Sequence, residues 1–191
     1  MILTGTAVQL KTTLRTIATM SLLSAVLGLV GCDPQRIAEL EEGVATEADV
    51  RARFGEPEKI WDAADMASLP LPGAAATLGS KTFEYNRQPA GNVNYMITIG
   101  PDGKMSALRQ VLAPQNFAKV LPGMPMETVR KMLGKPMKVT PFAASQTSHY
   151  DWRYLNPPNS VMIFTVVFDQ NLSVVSTGSV EEQFSASKPG N

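Results

Sequence analysis

Two stretches of this 191-residue chain carry the same pattern. Gly43-Val-Ala-Thr-Glu-Ala-Asp-Val-Arg-Ala-Arg-Phe-Gly-Glu-Pro57 and Gly123-Met-Pro-Met-Glu-Thr-Val-Arg-Lys-Met-Leu-Gly-Lys-Pro136 each read as a short amphipathic helix with both ends marked. In the second, Val129, Met132 and Leu133 fall at i, i+3 and i+4 and so share one face. Pro125 suits a first turn, Gly134 suits a left-handed position after the last turn, and Pro136 forbids continuation. In the first, Thr46 and Asp49 make a capping pair, Val50 and Phe54 the buried face, and Gly55 with Pro57 the stop. Val50, Arg51, Phe54, Gly55 and Pro57 map onto Val129, Arg130, Leu133, Gly134 and Pro136 at one constant offset of 79. An internal repeat constrains the fold before any single motif does.

The echo runs on in both directions. Pro34-Gln35, Ile37, Ala38, Leu40 and Gly43 match Pro114-Gln115, Phe117, Ala118, Val120 and Gly123 at an offset of 80. Downstream, Phe83-Glu-Tyr85 pairs with Trp152-Arg-Tyr154, and Tyr95, Ile97, Ile99, Asp102 and Met105 pair with Met162, Phe164, Val166, Asp169 and Leu172. Period-two alternation predicts strands over 81–87, 92–99 and 104–112, then over 149–155, 161–168 and 172–177. Asp102-Gly103 marks a hairpin turn. Residues 66–80 and 140–147 read as loops. The expected class is α+β, with two tandem α-α-β-β-β units, each a helix pair packed on a three-stranded antiparallel meander. The first unit spans 32–112, the second 113–184, and 185–191 is a tail. A unit this small has a core worth only about 3–5 kcal/mol on its own. The two are therefore expected to bury apolar surface against each other.

Residues 1–31 read as a targeting segment. Lys11 and Arg15 precede an uncharged apolar run over 17–30, shorter than the roughly 20 residues a spanning helix needs. The run ends in Leu29-Val30-Gly31-Cys32, which resembles the lipobox of bacterial lipoproteins. That resemblance implies cleavage before Cys32, a diacylglyceryl group on its thiol and acylation of the new amine. Two or more acyl chains anchor stably where one is marginal. Asp33 follows directly. In enteric bacteria an aspartate there favours the inner membrane, so both membranes stand as addresses, the outer one preferred.

Composition narrows the function classes. At 44% hydrophobic content the chain supports a real core, and its formal net charge is zero with no basic run, which excludes the electrostatic footprint of a nucleic-acid binder. Cys32 is the single cysteine, so no disulfide framework or CxxC site is available. His149 is the single histidine, and no nucleophile elbow, Walker loop or dinucleotide fingerprint occurs. The clusters Glu39-Glu41-Glu42 and Glu181-Glu182 lack calcium-loop grammar and read as solvated faces. Met124, Met126, Met132 and Met137 suggest either packing or an adaptable groove, with Met132 on the helix's core face. These residues point to a non-enzyme with no cofactor, no metal and no small-molecule substrate. Most aromatics belong in the core. Phe142, His149, Trp152 and Tyr154 are the candidates for contact with a protein partner.

The stretch from Leu121 to Pro136, together with Pro141-Phe142, His149-Tyr-Asp-Trp-Arg-Tyr154 and Val166-Val-Phe-Asp169, resembles the BamE (SmpA/OmlA) family of bacterial lipoproteins. The first unit is a weaker copy that keeps Gly43, Val50, Gly55 and Pro57. The resemblance implies a lipid-anchored, periplasm-facing protein-binding module, accessory to outer-membrane β-barrel assembly or envelope integrity. Its partners would be the membrane, through Cys32, and envelope proteins such as the β-barrel assembly machine. Tandem copies of such a unit also resemble the β-lactamase inhibitory proteins, which implies an alternative, an inhibitor-like binder of a periplasmic enzyme.

Overall fold

In a computed structural model, residues 37–67, 69 and 77–182 are described, and from Leu40 onward they belong to one compact unit. The targeting segment, Cys32, Asp33 and the 185–191 tail lie outside the described residues. In chain order the elements are α1 (Glu47–Phe54), β1 (Lys59–Asp62), α2 (Ala63–Met66), β2 (Lys81–Asn86), β3 (Asn94–Ile99) and β4 (Met105–Gln110). There follow α3 (Pro114–Phe117), α4 (Met126–Leu133), β5 (Lys138–Phe142), β6 (Thr147–Asn156), β7 (Ser160–Phe168) and β8 (Val174–Glu181). The strands form two four-stranded antiparallel sheets, β1-β2-β3-β4 and β5-β6-β7-β8.

This corrects the expected α-α-β-β-β units: the described chain is strand-rich, with four short helices and a fourth strand in each sheet. The extra strand follows the capped helix in both halves, as β1 and β5. Neither alternates cleanly, because each is a sheet edge with little to bury; β5 is exposed or half-buried throughout and contains Pro141. Proline demotes a strand only where its missing N–H would be needed, and an edge tolerates it. Of the expected helix pairs, the first helix of the second unit is a single turn over Pro114–Phe117, and residues 40–42, ahead of α1, are not helical.

The first of the paired helices forms for the reasons its sequence gives, whereas in α4 Pro125, expected in the first turn, is the N-cap and offers no side-chain cap. The Thr46 side chain accepts from Asp49 N while the Asp49 carboxylate accepts from Thr46 N at 2.9 Å, a reciprocal capping box. Val129, Met132 and Leu133 are all fully buried. Gly134 closes α4 with φ +75°, and a Cβ there would lie 2.5 Å from Asn86 Oδ1 and 2.9 Å from Asn94 Nδ2, so glycine is needed twice over.

Hydrogen bonds align the halves more sharply than residue types do. Gly43 N donates to Met105 O and Met105 N to Ala45 O; Gly123 N donates to Val174 O and Val174 N to Met124 O. Tyr85 Oη donates to Gly55 O, and Trp152 Nε1 donates to Gly134 O, both at 3.0 Å. The counterpart of Tyr85 is therefore Trp152, and that of Met105 is Val174. The sequence pairings of Phe83-Glu-Tyr85 with Trp152-Arg-Tyr154, and of Tyr95 through Met105 with Met162 through Leu172, are each displaced by two residues. A two-residue slip leaves every side chain on its own face, so alternation could not reveal it.

One face of the first sheet packs on α1, where Phe54 meets Tyr85 and Tyr95 at ring-centroid distances of 5.1 and 5.5 Å. The other face packs on the second half. Trp61, Met66 and Met96 join one core with Val129, Met132 and Leu133 of α4 and with Trp152, Phe164 and Val166 of the second sheet. The layers thus run α1, first sheet, α3 with α4, second sheet.

A polar seam crosses the middle interface. Glu84 is fully buried on β2. Its Oε2 accepts from Trp61 Nε1 at 3.1 Å, and its Oε1 accepts from Asn86 Nδ2 at 2.8 Å, Lys135 N at 3.1 Å and Arg130 Nη2 at 3.3 Å. Asn94 Nδ2 donates to Leu133 O, the last residue of α4, at 2.8 Å and to Lys135 O just beyond it at 3.1 Å, so a first-sheet side chain satisfies carbonyls at the helix end. Lys131 reaches Asp65 at 2.9 Å and sits over the Trp61 ring. Buried charge of this kind fixes how two surfaces mate more than it raises stability.

Candidate functional site

Alternation divides β6 and β7 between two environments. Trp152 and Tyr154 of β6, with Phe164, Val166 and Phe168 of β7, point to α3 and α4 and are buried. His149, Asp151 and Arg153 of β6, with Ile163, Thr165 and Val167 of β7, point the other way and are half-buried. Leu155 and Val180, at 44% and 63% exposure, extend that outward face, and no described element packs across it.

The four aromatic and histidine candidates separate two and two. Trp152 and Tyr154 are 1% and 4% exposed, which corrects their reading as contact residues. The indole N–H of Trp152 is spent on Gly134 O, and Tyr154 stands edge-on to Phe117 at 4.7 Å. Phe142 and His149 do lie on the open face, their rings 4.3 Å apart at 46°. Phe142 is 43% exposed and held by the edge strand β5. Ile163, Leu155 and Val180 were missed by sequence reasoning. Their alternation was visible, but which face lacked a neighbour was not.

Polar groups pin the open face. Thr165 Oγ1 donates to Asp151 Oδ1 at 2.7 Å. The Arg153 guanidinium forks onto Glu182 through Nε at 2.7 Å and Nη2 at 2.5 Å, and Nη1 donates to Pro89 O at 2.5 Å. The hydrogen bond to Glu182 raises the Arg153 pKa against a smaller opposing effect of burial, and the same bond holds the Glu182 carboxyl below its ordinary value. Beyond the end of β5, Gln88 covers the β6 edge by accepting from Arg153 N at 3.1 Å and donating to Arg153 O at 2.7 Å.

A cleft of about 400 Å³ opens on the opposite side, between α4 and the β5–β6 ladder. Arg130, Lys135 and Lys138 form its cationic lip, and Met126, Met137 and Tyr150 its apolar wall. Two of the singled-out methionines therefore line a concavity, whereas Met132 is core. Among the described residues no group of His, Cys, Asp and Glu side chains is placed to hold a metal.

No family model matches the chain, and no curated protein matches it. Among solved structures, a DUF4309 family protein (YjgB) from Bacillus subtilis overlaps 76% of this chain and 83% of its own, at 18% identity and a TM-score of 0.25. That overlap is too shallow to define a shared arrangement of elements.

Proposed function

We propose that this chain is a non-catalytic docking module of the bacterial envelope, anchored through a lipid on Cys32, whose partner seats on the open face of the second sheet. The observation that carries the reading is an inequality between equivalent surfaces. The outer face of the first sheet buries Trp61, Thr82, Glu84 and Met96 under α4 and its neighbours. The equivalent residues of the second sheet, Thr140, His149, Asp151 and Thr165, are half-buried with no described layer above them. Phe142, Leu155, Ile163 and Val180 supply that face with anchors, and Arg153 with Glu182 supplies a polar rim, the usual composition of a protein contact. The resemblance to the BamE family and to a lipobox favours, as the partner, a subunit of outer-membrane β-barrel assembly.

The test is a mild-detergent pulldown of the tagged chain from its own cells, wild type beside Leu155→Lys with Ile163→Lys. Barrel-assembly subunits enriched by wild type and lost with the double variant are the expected result. Recovery of one periplasmic enzyme instead replaces the partner with that of an inhibitor. Identical recovery by wild type and variant removes the open face as the docking surface.

A further inference from the structure

The free edges of the two sheets are not protected alike. β1 is four residues long and carries Lys59 and Asp62. β5 carries Lys138 and Pro141. On β4 the Leu108 N–H donates to Glu42 Oε1 at 2.9 Å, so a carboxylate occupies the edge. β8 lacks all three devices. Among the described residues only its first residue is engaged along that edge, with Val174 N donating to Met124 O at 2.9 Å and Val174 O accepting from Gly123 N at 2.8 Å. From Val175 to Glu181 every residue is exposed, and Val175-Ser-Thr-Gly-Ser-Val180 contains neither charge nor proline. An exposed, neutral edge of this length is a template for strand pairing unless something covers it.

We propose that β8 pairs antiparallel with β8 of a second copy of this chain, joining the two second sheets into one eight-stranded sheet. Thr177 stands where Leu108 stands in the first half, and Leu108 turns its N–H away from β3. The same alternation turns the peptide groups of Thr177 and Ser179 outward. Opposed residues in an antiparallel ladder must both face the partner or both face away, so a strand meeting its own copy pairs residues of like parity. A two-fold axis at Gly178 then sets Thr177 opposite Ser179 and Ser176 opposite Val180 of the second copy. Glu181 meets Val175, so no like charges oppose one another, and the Thr–Ser pairs can hydrogen-bond. The strand is self-complementary in the sense an isologous interface requires. This pairing does not depend on the docking reading; it would leave both open faces free and extend them into one surface.

The test is the mass of the purified full chain in mild detergent by sedimentation equilibrium, up to about 100 µM. The expected result is a species of twice the mass of the purified monomer, and a monomer throughout that range overturns the proposal. A Cβ at Gly178 would meet nothing within 4 Å, so Gly178→Lys should keep the wild-type melting temperature while weakening dimerisation at least tenfold. An undiminished dimer in that variant overturns the proposal. Gly178→Cys supplies a second measurement, since paired Cα atoms at an axis of this kind lie within disulfide range. Peptide mapping should find a 178–178 crosslink, and its absence from a dimeric sample assigns the dimer to another surface.

Discussion

The outer faces of the two sheets share a backbone frame and differ in nearly every side chain. Trp61 corresponds to Thr140 in the repeat, Thr82 to His149, Glu84 to Asp151, and Met96 to Thr165. The first set lies under α4 and is buried, whereas the second is half-buried and carries its polar groups on the surface. Side-chain identity thus follows whether another layer comes next. The ladder, the capped helix and the glycine stop are common to both positions. Terminal faces in stacked repeats are ordinarily polar for this reason. Here the terminal face keeps Phe142, Leu155, Ile163 and Val180 as well, and solubility alone does not ask for those.

The sharpest way to break this comparison is at its charged centre. Glu84→Ala strands the buried Trp61 indole N–H and leaves the half-buried Arg130 guanidinium without its carboxylate, while Lys135 N keeps its bond to Asn86 Oδ1. Removing one partner of a buried pair costs about 3–5 kcal/mol. Asp151→Ala removes a half-buried carboxylate with one hydroxyl donor and should cost about 1 kcal/mol. Urea midpoints read both. If the two costs agree, the covered and open faces are energetically the same and the layered description is wrong.

A smaller effect separates the two helix stops. Gly55 and Gly134 have φ values of +83° and +75° with ψ of −163° and −171°, an essentially glycine-only region, so alanine is strained by about 1–3 kcal/mol at either. At Gly55 a Cβ meets nothing within 4 Å. At Gly134 it meets Asn86 and Asn94, and both side chains are held by hydrogen bonds to the end of α4. Both substitutions carry that strain, and Gly134→Ala should cost at least about 1 kcal/mol more than Gly55→Ala, the excess coming from the displaced seam. Equal losses in thermal or urea unfolding would mean that the asparagines give way freely.

These residues also mark how far the sequence could be read. The capped helices were legible because Thr46 with Asp49, Val129 with Met132 and Leu133, and the two glycine stops are local signals. Six of the eight strands were legible by alternation. β1 and β5 were not, since an edge strand buries one residue or none and shows no period. The helix pairs were overestimated because Pro114 and Phe117 begin a pattern that the chain ends after one turn. Which aromatic faces outward was beyond reach. Trp152 and Phe142 look equally suited to an interface until the layer over each is known.

Acid titration sharpens the contrast in a different way. Glu58 and Asp65, at the solvent-exposed rim of the seam, and Glu182, beside the open face, all have carboxyl pKa values held below normal. For Glu58, burial pushes upward, but the hydrogen bonds from Lys135 and Asn86 outweigh it; for Asp65 and Glu182 the bonds from Lys131 and Arg153 dominate. A depressed folded pKa gives stability that is present above the unfolded value of about 4 and is lost as pH falls through the folded one. Stability should thus decline below about pH 4, and Glu58→Gln, Asp65→Asn or Glu182→Gln should each flatten that decline. A variant with an unchanged slope would show that its carboxylate is equally solvated in both states.

The smallest expected effect on stability falls on the open face itself. Val180 is 63% exposed and pairs with Ile163 across the β7–β8 ladder. Substitutions at such positions stay within about 0.5 kcal/mol, so Val180→Lys should unfold with wild type. Met96 lies on the corresponding face of the first sheet at 5% exposure, and Met96→Lys should unfold the chain or cost several kcal/mol, on the order of 3–5, by placing an ammonium in the shared core. The two lysines differ only in whether a layer follows. If Val180→Lys destabilises as Met96→Lys does, something already covers the second sheet within the chain. If it is silent in unfolding yet removes partner capture, the face is kept apolar for a partner and not for the fold.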